Sequence, residues 1–202
     1  MHILLILGLL ATLLAPGSGL SCEECFSLGG PCSGPVLPCG PGEDACMSGM
    51  GHYTLEGRTL LIAFRSCLEP GSCRTTHFSL TFRPGVTVRA NVTCCHEDGC
   101  NMGVVELPSV SSVPNGRLCP SCYVEGAGQC KRMEPLPCTG AEDHCVEFTG
   151  TLSAGNMSLT KAAAGCGTPG ACQKRVGVTK YARGIFDTLT RAVCYPAPHG
   201  EL

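Results

Sequence analysis

Two cysteine pairs, Cys22-x2-Cys25 and Cys119-x2-Cys122, have the spacing of zinc ligands and of redox dithiols. His52, His77, His96, His144 and His199 could add ligands or a general base. Two acidic pairs, Glu43-Asp44 and Glu142-Asp143, stand just ahead of Cys46 and Cys145 and could offer acid and base. Each of these chemistries lacks its remaining parts. No βαβ pattern surrounds either C-x2-C, so thioredoxin-like exchange is not expected. Neither a Gly-x-Ser-x-Gly elbow nor a His-Glu-x-x-His helix is present. The acidic pairs recur at matched positions, which suits a turn or capping role better than a cleft in which two carboxyls differ in environment. Zinc is disfavoured because every cysteine past the N-terminal run belongs to one repeated frame. The expectation is therefore a protein with no catalytic residues, no metal and no cofactor.

The elements that must position these residues are set by the cysteines themselves. From Cys22 they run C-x2-C-x6-C-x6-C-x6-C-x20-C-x5-C-x20-CC-x4-C-N, through Cys25, Cys32, Cys39, Cys46, Cys67, Cys73, Cys94, Cys95 and Cys100 to Asn101. So short a stretch buries too little apolar surface to offset its chain entropy without covalent help. The chain has 202 residues and 18 cysteines, an even number that allows every thiol to pair. Such pairing needs an oxidising compartment. Ile3 to Leu14 is an apolar run followed by Ala15-Pro16-Gly17-Ser18-Gly19, which reads as a signal peptide over residues 1–19, too short to span a bilayer. Secretion is the expected fate. The net charge of -2 and the absence of a basic run argue against nucleic acid or an anionic membrane as partner.

The frame occurs twice. From Cys119 the spacing is C-x2-C-x7-C-x7-C-x6-C-x20-C-x5-C-x21-C, through Cys122, Cys130, Cys138, Cys145, Cys166 and Cys172 to Cys194. Leu37-Pro38-Cys39 matches Leu136-Pro137-Cys138, and Glu43-Asp44 matches Glu142-Asp143. The division is 20–102 for the first module, 103–116 for a Pro- and Ser-containing linker, and 117–202 for the second. Between the cysteines, apolar residues alternate. Phe78, Leu80 and Phe82, then Arg83-Pro84-Gly85, then Val86, Val88, Ala90 and Val92 predict a β-hairpin. Met47 to Ser66 predicts another, with its tip near Glu56-Gly57-Arg58. In the second module, hairpins turning at Ser153-Ala154-Gly155 and Ala182-Arg183-Gly184 are expected. Lys161-Ala162-Ala163-Ala164 is read as strand because the repeat outweighs its helical propensity. The fold class is all-β and disulfide-rich.

The opening C-x2-C, the gaps of twenty and the closing Cys94-Cys95-x4-Cys100-Asn101 resemble the lymphocyte-antigen and urokinase-receptor superfamily of LU, or three-finger, domains. Two tandem modules in a secreted chain are most similar to the gamma-type phospholipase A2 inhibitors. The resemblance implies the pairs Cys22–Cys46, Cys25–Cys32, Cys39–Cys67, Cys73–Cys94 and Cys95–Cys100, then Cys119–Cys145, Cys122–Cys130, Cys138–Cys166 and Cys172–Cys194. Spacing alone leaves the connectivity open. The second module departs from the pattern, since no Cys-Cys-x4-Cys-Asn follows, leaving that edge looser or open to a partner. The implied function is a secreted, non-enzymatic protein that blocks a secreted phospholipase A2 sterically. The alternative is a modulator of a cell-surface receptor or integrin. Fingertip residues His52, Tyr53, Arg58, Arg83, Lys180, Tyr181 and Arg183 are the candidate partner contacts, because Tyr and Arg are favoured anchors. Asn91-Val92-Thr93 and Asn156-Met157-Ser158 are glycosylation sequons. The terminal His199-Gly200-Glu201-Leu202 lacks the Asp of an ER retrieval signal, and no apolar tail suggests a glycolipid anchor.

Overall fold

The computed structural model describes residues 19–69 and 71–200. The expected signal peptide lies almost wholly outside these residues. The described chain is built of β-strands and short 3-10 turns. In the first module a small sheet pairs β1 (Ser21–Glu23) with β3 (Val36–Pro38). The main sheet takes β2 (Cys25–Leu28), β4 (Ala45–Leu55), β5 (Arg58–Leu68), β6 (Thr76–Arg83) and β7 (Val86–Cys95) in the order β2-β5-β4-β7-β6. Alternation sets the faces of β6: Phe78, Leu80 and Phe82 are buried, while the residues between them are only partly so. The β4–β5 hairpin turns on Glu56 and Gly57, both at positive φ (51° and 81°), as a two-residue turn matched to strand twist requires.

The second module repeats the plan with β8 (Pro114–Glu125), β9 (Glu134–Thr139), β10 (His144–Ala154), β11 (Met157–Gly167), β12 (Gly177–Ala182) and β13 (Ile185–Pro196). Lys161–Ala164 is strand, lying between β10 and β8, where small side chains suit a crowded sheet. Two boundaries differ from expectation. Pairing of β10 with β11 continues to Ala154 and Met157, so the turn is Gly155-Asn156, with Gly155 supplying the left-handed φ of 56°. The expected linker ends early, because Pro114 already pairs with Thr139.

The two modules form one continuous sheet. Cys166 and Gly167 of β11 pair antiparallel with Thr81 and Leu80 of β6. Two glycines allow this approach. A Cβ on Gly165 would lie 2.1 Å from the Thr81 carbonyl oxygen, and one on Gly170 would lie 2.0 Å from that of His77. The largest apolar core straddles the junction, with Phe78, Leu80, Phe82 and Val86 from one side and Val146, Phe148, Ala163 and Leu189 from the other. Each module also has a knuckle of buried cysteines at its base.

Candidate functional site

Disulfides join Cys22 to Cys46, Cys25 to Cys32, Cys39 to Cys67, Cys73 to Cys94, and Cys95 to Cys100 in the first module. In the second they join Cys119 to Cys145, Cys122 to Cys130, Cys138 to Cys166, and Cys172 to Cys194. The sulfurs of Cys22, Cys39 and Cys67 cluster, as do those of Cys119, Cys138 and Cys166, but each sulfur is in a disulfide and offers no thiolate to a metal. Asn101 locks the first knuckle. Its Oδ1 accepts from the Glu23 N–H (2.9 Å), and its Nδ2 donates to the carbonyls of Glu23 and Met47 (3.0 Å each). Glu23 is itself buried and ion-paired with Arg65. Burial opposes its charge, yet the Gly34 N–H, the Ser33 hydroxyl and the Arg65 guanidinium together hold its carboxyl below the ordinary value.

The second module replaces the missing cysteine loop with hydrogen bonds. Asn115 Nδ2 donates to the carbonyls of Gly140 (3.0 Å) and Glu142 (2.9 Å). The segment after β13 folds back: the Ala197 N–H donates to the Asp143 carbonyl, the Gly200 N–H donates to the Gly116 carbonyl, and His199 bridges Arg117. That edge is therefore covered rather than open. The acidic pairs brace turns. Glu43 accepts from the Gly40 N–H at 2.8 Å and Glu142 from the Thr139 N–H at 3.1 Å. The histidines are dispersed: His52 sits by Arg89, His96 by the Asp44 carbonyl and His144 by Asp143.

The seven candidate contact residues fall into three settings. Arg58 is exposed at the central tip of the first module, and Arg83 bonds Glu56 at 2.6 Å, tying neighbouring tips together. His52 lies mid-finger, half-buried, its Nδ1 3.2 Å from Arg89; burial and then the Arg89 charge lower its pKa. Tyr53 faces the other side of the same strand, and burial raises its phenol pKa. Lys180 and Tyr181 turn inward to the first module instead of outward, while Arg183 stays exposed at the tip. Lys180 Nζ is 2.7 Å from Glu43 Oε1 and also donates to the Cys67 carbonyl. The Tyr181 ring stands 4.9 Å from that of Phe64, and Arg183 is 3.7 Å from Glu24. Burial opposes the Glu43 charge, but Lys180, the Gly40 N–H and Arg183 outweigh it and lower its pKa. The third finger of the second module is thus a clasp on the first, and Lys180 and Tyr181 are not free tips.

Other residues take the outward positions. Leu55 and Leu60 flank the central tip of the first module, while Met157 and Leu159 flank that of the second, with Met157 74% exposed. The pattern Met-x-Leu beside a turn was the available signal in the sequence. Of the sequons, Asn156 is exposed in the β10–β11 turn, whereas Asn91 Nδ2 donates to the Glu106 carbonyl of the linker at 2.7 Å. The linker there walls a groove of about 1390 Å³ whose mixed lining includes the hydroxyls of Thr76, Ser79, Thr81 and Thr87. Beyond the clasp a second cleft of about 570 Å³ separates the modules, lined by Tyr53, Phe64, Tyr181 and Phe186.

Two disulfide-pinned bases, each extending three β fingers, define a tandem three-finger protein. The chain belongs to the u-PAR/Ly-6 domain family, whose sequence model matches residues 18–103 and 115–195. It is 31% identical over 138 residues to the phospholipase A2 inhibitor 31 kDa subunit of Naja kaouthia, covering 64% of this chain and 68% of that one. It is 26% identical over 146 residues to phospholipase A2 inhibitor 1 of Protobothrops flavoviridis, covering 72% of each chain. Protein RoBo-1 of Rattus norvegicus is 35% identical over 108 residues, 54% of this chain and 43% of that one. Among solved structures, mouse TEX101 aligns over 87% of this chain and 98% of its own at 22% identity, with a TM-score of 0.41. No helix among the described residues is long and apolar enough to cross a membrane.

Proposed function

We propose that this protein is a secreted, non-enzymatic inhibitor that binds a secreted phospholipase A2 and covers the surface through which lipid enters. The observation that carries the reading is the kinship of the chain to proteins named as phospholipase A2 inhibitors. The geometry agrees with a steric mechanism. Docking of the modules into one sheet holds the two central fingers rigidly, so their tips bind without a large ordering cost. Those tips carry Leu55 and Leu60 on one module and Met157 and Leu159 on the other, apolar side chains suited to the apolar rim of a lipid-binding mouth. A steric block leaves the catalytic groups of the enzyme untouched. It therefore suppresses hydrolysis of vesicles more than hydrolysis of a small monomeric ester.

The test is a panel of purified secreted phospholipases assayed with the disulfide-intact protein on both substrates. The expected result is saturable inhibition on vesicles, weak inhibition on the monomeric ester, and loss of inhibition in the Met157→Glu/Leu159→Glu variant. Absence of binding to every enzyme, with a receptor or integrin ectodomain captured instead, overturns the reading.

A further inference from the structure

We propose that the cleft between the modules binds the carboxylate and chain of a long-chain fatty acid. This site is separate from the fingertips and does not rest on the inhibitor reading. The cleft measures about 570 Å³, within the range of about 300–1,000 Å³ usual for small-molecule sites. Its walls are the apolar face of the first module and the third finger of the second, with Phe64 and Tyr181 packed at their junction.

The lining is asymmetric in charge. Four cations, Arg74, Lys174, Arg175 and Lys180, line it with two carboxylates, Glu43 and Glu69. Lys180 and Glu43 neutralise each other across the clasp. Lys174 stands 5.2 Å over the Phe78 ring. Arg74 and Arg175 have no carboxylate partner among the described residues. A guanidinium is well matched to a carboxylate head. Tyr53 opens into the same cleft, and its hydroxyl makes no hydrogen bond to the described residues, which leaves an O–H donor for that head.

The apolar walls select against a peptide, whose backbone N–H and C=O groups would be unpaired between aromatic rings. One anionic head on one apolar chain offers the unpaired guanidinium groups a partner and the rings apolar contact.

The experiment titrates the full, disulfide-intact protein with dansylaminoundecanoic acid and follows emission. The expected result is a saturable blue-shifted signal, displaced by oleate and not by oleyl alcohol or oleylamine. The Arg74→Gln/Arg175→Gln variant should weaken binding about tenfold or more, the loss expected for charge-assisted bonds. Val178→Glu places a like charge on an exposed wall residue and should abolish the signal while circular dichroism stays unchanged. No saturable signal, displacement by the alcohol as readily as by oleate, a tenfold preference for oleoyl lysophosphatidate, or wild-type affinity in both variants each overturns the proposal.

Discussion

Replacing Gly165 by alanine should pull the two modules apart. The added Cβ would sit 2.1 Å from the Thr81 carbonyl oxygen and 2.8 Å from Phe82 Cα, both backbone atoms of β6. Carbon and carbonyl oxygen normally approach to about 3.3 Å across neighbouring strands, so β6 and β11 must separate locally by about 1 Å. That breaks the pairing of Cys166 with Thr81 and loosens the shared core around Leu80 and Phe82. Overpacking of this kind costs about 1–3 kcal/mol, which for a chain of this size lowers the Tm by about 2–12 °C. The sign is diagnostic, because Gly→Ala at an unstrained, open site stabilises by about 0.4–1 kcal/mol through the unfolded chain. Gly103 is such a site: it has φ −66° and nothing within 4 Å of a built Cβ. Thermal melts with intact disulfides, paired with hydrogen exchange at the Ser79 and Thr168 amides, check both variants. Those two amides bond across the junction, Ser79 N–H to Thr168 Oγ1 and Thr168 N–H to the Ser79 carbonyl, 3.0 Å each. A Gly165→Ala protein with unchanged Tm and protection would refute the account of the junction.

Three further outcomes follow from particular residues. Asn101→Ala leaves the Glu23 N–H and the carbonyls of Glu23 and Met47 unpaired, and should cost about 3 kcal/mol or more in denaturant titrations; a cost under about 1 kcal/mol would count against the knuckle lock. Stability should fall with acid in two stages, because the folded pKa values of His52, Glu23 and Glu43 all lie below their unfolded values. Their contribution is complete above the unfolded values of 6.5 for histidine and 4.5 for glutamate, and is lost as pH falls through the folded ones; a pH series of melts that stays flat or rises toward acid would contradict it. Glycopeptide mapping of the protein expressed through a secretory pathway should find more glycan on exposed Asn156 than on Asn91, which is bonded to the linker; the reverse order would show that the linker does not lie as described.

Period-two alternation across Phe78, Leu80 and Phe82, and the Pro84-Gly85 and Glu56-Gly57 turns, made the central and third hairpins of the first module legible in the chain itself. So did the doubled cysteine frame, which carried the tandem plan and the family. These are local and covalent properties: a strand shows its buried face every second residue, and a turn shows its left-handed residues. Lys180 and Tyr181 were misleading for the opposite reason. A polar and an aromatic residue beside a turn look the same whether they meet solvent or another module. Only the tertiary structure set Tyr181 against Phe64, Lys180 on Glu43, and the bare Cα of Gly165 against the Thr81 carbonyl. No periodicity marks contacts between segments so distant in the chain. They arise because each module has an apolar face too wide for itself, and burying the two faces together removes more such surface from water than either module can alone.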